Sequence, residues 1–153
     1  MGERSCFVCD KHRGLVQVPG GSLYEDELVY ASHGAMPEGK TETYPGVLFL
    51  EPKRHAAGIE DLTDLEAQRF GLLATHLSKA LRVATQAERI YAAVLGHHVP
   101  HLHLWLISRY PDTPSEYWGT SVLQWPQAPK ESAEAIEQLC AAIRSQLKFE
   151  VGA

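Results

Sequence analysis

Four of the eight histidines in this chain fall within seven residues, and their spacing suits nucleophilic or metal-binding chemistry. They are His97, His98, His101 and His103. Because side chains alternate across a strand, His101, His103 and Trp105 share one face of an extended segment, and the leucines between them face the core. A neutral imidazole is both a nucleophile and a metal ligand at neutral pH. Two imidazoles about 7 Å apart on one strand face therefore favour a binding or reactive site over purely structural histidines.

The three cysteines divide into a C-x-x-C pair, Cys6 and Cys9, and the isolated Cys140. An odd number of cysteines disfavours a disulfide framework, so the pair is a metal site, a redox pair or a chance occurrence. Thiolates and imidazoles together are a donor set that zinc prefers, whereas a metal site made from the histidine cluster alone would leave the pair unexplained. No thioredoxin-like strand and helix follow the pair, which makes a redox function the least favoured.

Hydrophobic periodicity and turn residues place these side chains on a small set of elements. Short strands are predicted over 14–18 and 23–32, on either side of a turn at 19–21, and further strands over 47–50, 89–95 and 99–107, with a loop over 33–44. Thr63 and Glu66 have the spacing of a capping box and predict a helix start. A terminal amphipathic helix is predicted over 131–147, with Cys140 on its apolar stripe. Strands that outnumber helices without regular alternation indicate an α+β domain with a mainly antiparallel sheet.

Length and charge restrict the function further. A chain of 153 residues fits one domain over 1–153. The net charge of −5 disfavours a nucleic-acid partner, because affinity for polyanions needs a basic surface, but one local pocket can still bind a nucleotide. The N-terminus lacks the apolar run of a signal peptide, and no segment resembles a membrane span. We therefore expect a cytoplasmic protein with no membrane or nucleic-acid partner.

The histidine segment resembles the signature of the histidine triad (HIT) family, in which three histidines alternate with apolar residues and an arginine often follows. Here the signature is His101-Leu102-His103-Leu104-Trp105-Leu106-Ile107, with Arg109 after it. Segment 45–55 resembles the family's apolar strand that ends in Pro-Lys-x-His, 23–27 its first hairpin, and 96–100 its Gly-Gln-Ser/Thr-Val lead-in. The resemblance extends over roughly residues 6–109 and implies a mainly antiparallel five-stranded sheet with two main helices.

The resemblance implies a nucleotide hydrolase or nucleotidyl transferase that acts at the α-phosphate of nucleoside phosphoramidates or dinucleoside polyphosphates. The middle histidine of such proteins attacks phosphorus and forms a covalent nucleotidyl-imidazole, and His103 matches it. Phosphate or substrate contacts are expected from His97, His98, Trp105 and Arg109. Trp105 stands where the family has its third histidine, and an indole has one N–H donor and no acceptor, so it cannot relay a proton. The alternative is therefore a nucleotide-binding or sensing module with little or no turnover.

Some bacterial HIT proteins carry a C-x-x-C pair and a structural zinc, and the resemblance implies the same here. The matching ligands are Cys6, Cys9, His55 and His101. Four protein ligands close a tetrahedral zinc site and leave no position for a catalytic water. Because family members are often homodimers, we expect a homodimer. Segment 110–129, which is rich in Pro, Trp and Tyr, is expected either to wall the pocket or to cover the sheet.

Overall fold

The computed structural model describes residues 6–147, which form a five-stranded sheet with two main helices on one of its faces. The helices are α1 Phe7–His12, α2 Asp64–Thr85 and α3 Ala133–Gln146. The strands are β1 Ser22–Glu25, β2 Val29–His33, β3 Glu42–Thr43, β4 Val47–Pro52, β5 Arg89–Ala93, β6 Leu104–Arg109 and β7 Glu131–Ser132. The predicted domain over 1–153 and the predicted lack of a signal peptide involve residues 1–5 and 148–153, which lie outside the described residues.

Every neighbouring pair of strands in the main sheet is antiparallel, in the order β1-β2-β4-β6-β5. Strands β3 and β7 form a separate two-stranded sheet, which joins the loop after β2 to the start of α3. The architecture is therefore α+β with a mainly antiparallel five-stranded sheet, as predicted. No helix within residues 6–147 has the length and apolarity needed to cross a bilayer.

Helix α2 begins where the capping box predicted it. The backbone N–H of Glu66 donates to Thr63 Oγ1 at 3.2 Å, and the N–H of Thr63 donates to Glu66 Oε2 at 2.9 Å. These two bonds satisfy backbone donors that a helix start leaves unpaired. The buried stripe of the helix recurs at helical spacing and comprises Phe70, Leu73, Leu77 and Leu81. This stripe packs on the sheet and forms the main core.

Helix α3 begins at Ala133, slightly later than the predicted range 131–147. The side chain of Ser132 accepts a hydrogen bond from the N–H of Ala135 and caps the helix, while Glu131 and Ser132 pair with β3 as strand β7. Cys140 is fully buried on the apolar face, as predicted, and burial raises its pKa to about 11. This thiol therefore belongs to the core.

The predicted strand over 14–18 is wrong, and the predicted strand over 99–107 pairs later than expected. The chain forms α1 and then a turn through residues 13–16, with no strand between residue 6 and β1. Strand β6 starts only at Leu104, since continuing its register with β4 would place Leu102 opposite Pro52. Proline has no N–H to donate to the ladder. The N–H of Leu102 instead donates to the carbonyl of Ala56 at 2.7 Å.

The two faces of the sheet differ in their covering. Leu102 and Leu106 are buried in the core beneath α2 and α3, and Leu104 packs against the same core. The opposite face is covered at one end by α1 and at the other by segment 110–129, whose Val122 packs on Val47 and Ile107. That segment covers the sheet, which was one of its two expected roles. The histidine segment thus has the predicted leucine face, and its other side faces a cleft beneath α1.

Candidate active site and metal centre

Four predicted metal ligands from distant parts of the chain meet beneath the end of the sheet. They are Cys6, Cys9, His55 and His101, and their ligand atoms all lie within 4.8 Å of one another. Cys6 Sγ and Cys9 Sγ lie 3.5 and 3.4 Å from His101 Nδ1, and Cys9 Sγ lies 3.5 Å from His55 Nδ1. Tetrahedral zinc, with bonds of about 2.3 Å to sulfur and about 2.0 Å to nitrogen, separates sulfur and nitrogen by about 3.5 Å. The cluster therefore has the donor set and spacing that could hold zinc.

His101 is oriented as a ligand by a bond on the far side of its ring. Its Nε2–H donates to the carbonyl of Pro52 at 2.7 Å, which leaves the Nδ1 lone pair directed at the thiols. Such an outer hydrogen bond is typical of metal-ligating histidines, because it fixes both the tautomer and the ring orientation. The ring is fully buried, and burial lowers the pKa of His101, which favours the neutral imidazole that a metal requires.

His103, the predicted nucleophile, is held by a main-chain bond. Its Nδ1 lies 2.7 Å from the carbonyl oxygen of His101. Because a carbonyl can only accept, Nδ1 carries the hydrogen and the lone pair is on Nε2. The ring is half-buried and lies near Phe49 and Trp105, with centroids 6.0 and 6.2 Å away. The ring therefore presents Nε2 at the side of a cleft, and in the neutral imidazole this nitrogen carries the lone pair.

The cleft beside His103 is largely apolar and is partly open to solvent. It lies between α1 and the exposed side of β4 and β6. Its lining consists of Phe7, Val8, Lys11, Phe49, Glu51, Val99, His103 and Trp105. Ligand pockets of this kind combine apolar and aromatic walls with a few placed polar groups. This is the pocket in which a ligand can reach the free nitrogen of His103.

Trp105 forms part of the cleft wall. Its ring meets Phe49 edge to face, with centroids 4.6 Å apart and an interplanar angle of 67°. The same indole packs against the small apolar cluster of Val47, Ile107 and Val122. Among the described residues its Nε1 is buried and has no hydrogen-bond partner. Trp105 therefore contributes packing and one unpaired N–H donor. Its indole has no group that can exchange a proton with a substrate.

A charged cluster in the cleft was missed by the sequence analysis. Lys11 Nζ pairs with Glu51 Oε1 at 2.5 Å, and His12 Nε2 lies 2.7 Å from Glu51 Oε2. The exposed fractions of the three side chains are 4% for Lys11, 1% for Glu51 and 8% for His12. The signal that could have revealed the cluster is Glu51 itself, a charged residue in an otherwise apolar strand. A buried carboxylate on a strand requires a cationic partner.

Three predicted substrate-binding residues lie apart from the lining of this cleft. His97 and His98 are exposed in the loop between β5 and β6, with ring centroids 6.2 Å apart. Arg109 is at the far end of β6, roughly 20 Å along the chain from His103. Its guanidinium carbon lies 4.0 Å from the ring centroid of Trp118, and its Nη1 donates to the hydroxyl of Tyr91 at 2.8 Å. Their proposed contacts with phosphate stay predictions.

Comparison with known proteins identifies the family. The model of the HIT domain matches residues 16–112, which is more than half of the chain. The chain belongs to the HIT family. HIT proteins bind small nucleotides and are generally nucleotide hydrolases or transferases. A search of curated proteins finds no match to this HIT chain.

Solved structures show the same fold. A Hit-like protein from Bartonella henselae is 21% identical, with a TM-score of 0.70 over 95% of this chain and 98% of the other. A histidine triad nucleotide-binding protein from Sulfolobus tokodaii is 18% identical, with a TM-score of 0.70 over 93% and 91%. A zinc-bound HIT protein from Mycobacterium smegmatis is 20% identical, with a TM-score of 0.68 over 95% and 97%. At these identities the similarity establishes the fold.

Proposed function

We propose that this HIT protein is a nucleotide hydrolase or nucleotidyl transferase that acts at the α-phosphate of nucleoside phosphoramidates or dinucleoside polyphosphates. The observation that carries the proposal is the 2.7 Å bond between His103 Nδ1 and the carbonyl of His101, which leaves Nε2 free at the cleft. A nucleophilic imidazole needs its second nitrogen held in this way, because the lone pair must point at phosphorus.

The reaction proceeds in two displacements at phosphorus. The Nε2 lone pair of His103 forms a bond to the α-phosphorus, and the bond from phosphorus to the leaving nitrogen or oxygen breaks with its electron pair. The product is a nucleotidyl-imidazole and a leaving group that takes a proton from water. A water molecule or another acceptor then attacks phosphorus and gives up its proton to solvent, and the phosphorus–nitrogen bond breaks and returns its electrons to Nε2. One positioned imidazole can thus serve several leaving groups.

Zinc has a structural role in this proposal. Cys6, Cys9, His55 and His101 would hold it, which is supported by their spacing and by the zinc-bound relative from M. smegmatis. With four protein ligands the metal supplies a closed tetrahedral crosslink and no position for a substrate. The carbonyl of His101 accepts the bond from His103, so fixing His101 also positions the nucleophile.

A second candidate is a nucleotide-binding or sensing module with little turnover. The observation that favours it is the indole of Trp105, whose buried Nε1 cannot relay a proton to a leaving group. Binding needs only the cleft and a free imidazole, whereas rapid turnover also needs proton transfer. The two candidates therefore differ in the rate of the chemical steps.

Covalent labelling separates these candidates. The zinc-loaded protein is incubated with a nucleoside phosphoramidate that is radiolabelled at phosphorus, then acid-quenched briefly, digested and mapped. We expect label on His103, no label in His103→Ala, and normal label in His76→Ala, which removes an imidazole on α2 away from the cleft. Tight equilibrium binding with neither label nor turnover would support the binding module. Absence of both binding and label would refute both candidates.

Three broader expectations belong to the same proposal. One domain over 1–153 is supported by the single main core that joins the sheet to α2 and α3. A cytoplasmic location is supported by Cys6, Cys9 and Cys140, which form no disulfide with one another. A homodimer is supported by the open edge of the sheet at β5, and light scattering coupled to gel filtration measures that state.

A further inference from the structure

The cleft contains a buried ion pair. A contribution to folding stability does not explain why it is there. Lys11 and Glu51 are almost completely buried, and each lines the cleft. Removing two charges from water costs several kcal/mol per ion, and well-packed apolar residues of similar size are often as stable or more stable in such positions. A buried pair that lines a pocket is therefore better explained by what it binds than by what it adds to folding.

Neither charged group has exhausted its hydrogen-bonding capacity. Lys11 Nζ has three hydrogens, and among the described residues its only hydrogen-bond partner is Glu51. Its other neighbours are aromatic rings, with Nζ 5.3 Å from the centroid of Phe49 and 6.0 Å from that of Phe7. Glu51 accepts one bond on each oxygen, and each carboxylate oxygen can accept a second. The pair thus has a free donor beside a free acceptor.

The Lys11–Glu51 pair lies near His103, the proposed nucleophile. Continuing the register of β4 and β6 by one step beyond Leu50 and Leu104 places Glu51 opposite His103. Both side chains line the same cleft, at the end of the sheet where the pairing of β6 with β4 stops. Phe49 lies between the lysine and the imidazole, close to both. A flat ring that packs on this aromatic wall with its phosphate at His103 can turn its edge towards Lys11 and Glu51, which line the same cleft.

We propose that Lys11 and Glu51 select the base of the nucleotide, and that the base is one with a lactam edge, a ring carbonyl beside a ring N–H. This inference rests on the proposed function. Lys11 donates to the carbonyl oxygen, and Glu51 accepts from the adjacent N–H. Guanine, hypoxanthine and uracil have this edge. Adenine in the same orientation presents its amino group to Lys11 and an unprotonated ring nitrogen to Glu51. Two donors then face each other, and so do two acceptors.

The test compares nucleotides that differ only at this edge. Binding of inosine monophosphate and adenosine monophosphate to the zinc-loaded full chain is measured by isothermal titration, with guanosine and uridine monophosphates alongside. We expect inosine monophosphate to bind at least about tenfold more tightly than adenosine monophosphate, because buried polar groups left unpaired discriminate strongly. Equal binding, or tighter binding of adenosine monophosphate, would overturn the inference whether or not any variant folds.

Paired substitutions assign the preference to these residues. In Lys11→Met/Glu51→Gln we expect the preference to fall below about threefold while adenosine monophosphate still binds. The matched control is Lys53→Met/Glu25→Gln, which removes a surface pair of 2.7 Å and keeps the preference. A preference that survives the first double substitution contradicts the inference. Label on His103 from all bases equally refutes the inference alone, whereas no nucleotide binding and no label refutes the proposed function with it.

Discussion

At the scale of single residues, His103 and Trp105 determine what this cleft can do. The carbonyl of His101 fixes the orientation of the His103 ring, so the nucleophilic role proposed for His103 depends on the local chain path and not on a neighbouring acid. Trp105 is held by Phe49 and by an apolar cluster, so its indole is part of the wall and not a group that moves. Position 105 therefore supplies no general acid for proton transfer to the leaving group.

Replacing Trp105 tests this interpretation. We expect Trp105→His to raise the turnover of a phosphoramidate with a poor leaving group by about tenfold or more, because general acid catalysis contributes about 10²–10⁴-fold when it is fully positioned. The same substitution removes a large ring from an apolar cluster and destabilises the fold by about 2–4 kcal/mol. Stopped-flow kinetics and urea denaturation measure the two effects.

The matched control for that substitution is Trp105→Phe. Phenylalanine keeps most of the packing against Phe49 but has no N–H, so we expect turnover no higher than in the unmodified protein and a smaller loss of stability. If Trp105→His and Trp105→Phe change turnover equally, the space at position 105 and not its proton chemistry limits the rate.

The cluster of candidate metal ligands and the histidine face could be predicted from the sequence, whereas the burial of Lys11 could not. Cys6, Cys9 and His101 belong to local patterns with a recognisable spacing, and the structure brings them together with His55. Lys11 lies in the six-residue α1, which is too short for an amphipathic period. Its burial depends on Glu51, which is 40 residues away in sequence. Only the folded chain brings these two charges together.

At the scale of elements, the sequence located α2 more accurately than β6. The start of α2 depends on Thr63 and Glu66, which act locally through their own backbone bonds. The start of β6 depends on its partner, because Pro52 on β4 offers no N–H to Leu102. Alternation predicted the extended segment and its two faces correctly, but pairing between strands was not visible in either segment alone.

The capping box of α2 also predicts a pH dependence of stability. Hydrogen bonds from Arg54 lower the pKa of Glu66 to about 2, which is below its value of about 4.3 in unfolded chains. A carboxyl whose folded pKa is lowered stabilises the fold above its unfolded pKa, and this contribution is lost as pH falls from about 4.3 towards 2. Because Arg54 is half-exposed, we expect only about 1 kcal/mol.

Urea denaturation of Glu66→Gln measures this contribution. At pH 7 the variant is expected to be about 1 kcal/mol less stable than the unmodified protein, and the difference shrinks as pH falls towards 2. Glu137→Gln, on the exposed side of α3, is the control and follows the unmodified protein at each pH. A constant difference between Glu66→Gln and the unmodified protein across this range would contradict the assignment.

At the scale of the whole molecule, the four candidate zinc ligands come from parts of the chain that are far apart in sequence. Cys6 and His101 are 95 residues apart, and Cys9 and His55 are 46 apart. A bound ion therefore closes long loops and ties α1 to the ends of β4 and β6, and a crosslink over such distances stabilises the folded chain. Helix α1 also carries Phe7 and Lys11 into the cleft, so the same crosslink holds one wall of the proposed nucleotide site in place.

Removal of zinc is expected to change stability before it changes chemistry. We expect a strong chelator to lower the melting temperature by roughly 10 °C, since a loss of about 3 kcal/mol shifts a domain of this size by that amount. Labelling of His103 at low temperature should persist, because the metal has no open position and the sheet still supports the imidazole.

The reactivity of the three cysteine thiols provides an independent measure of zinc removal. After chelation Cys6 and Cys9 become free to react with a thiol reagent, whereas Cys140 is buried and its raised pKa of about 11 keeps it protonated until the chain unfolds. We therefore expect two thiols to react after chelation and the third only in denaturant. Cys140→Ser keeps the two early thiols and loses the late one, which makes it the control. If chelation alters neither the melting temperature nor the number of reactive thiols, these four residues hold no structural metal and α1 is fixed on the sheet by its own packing.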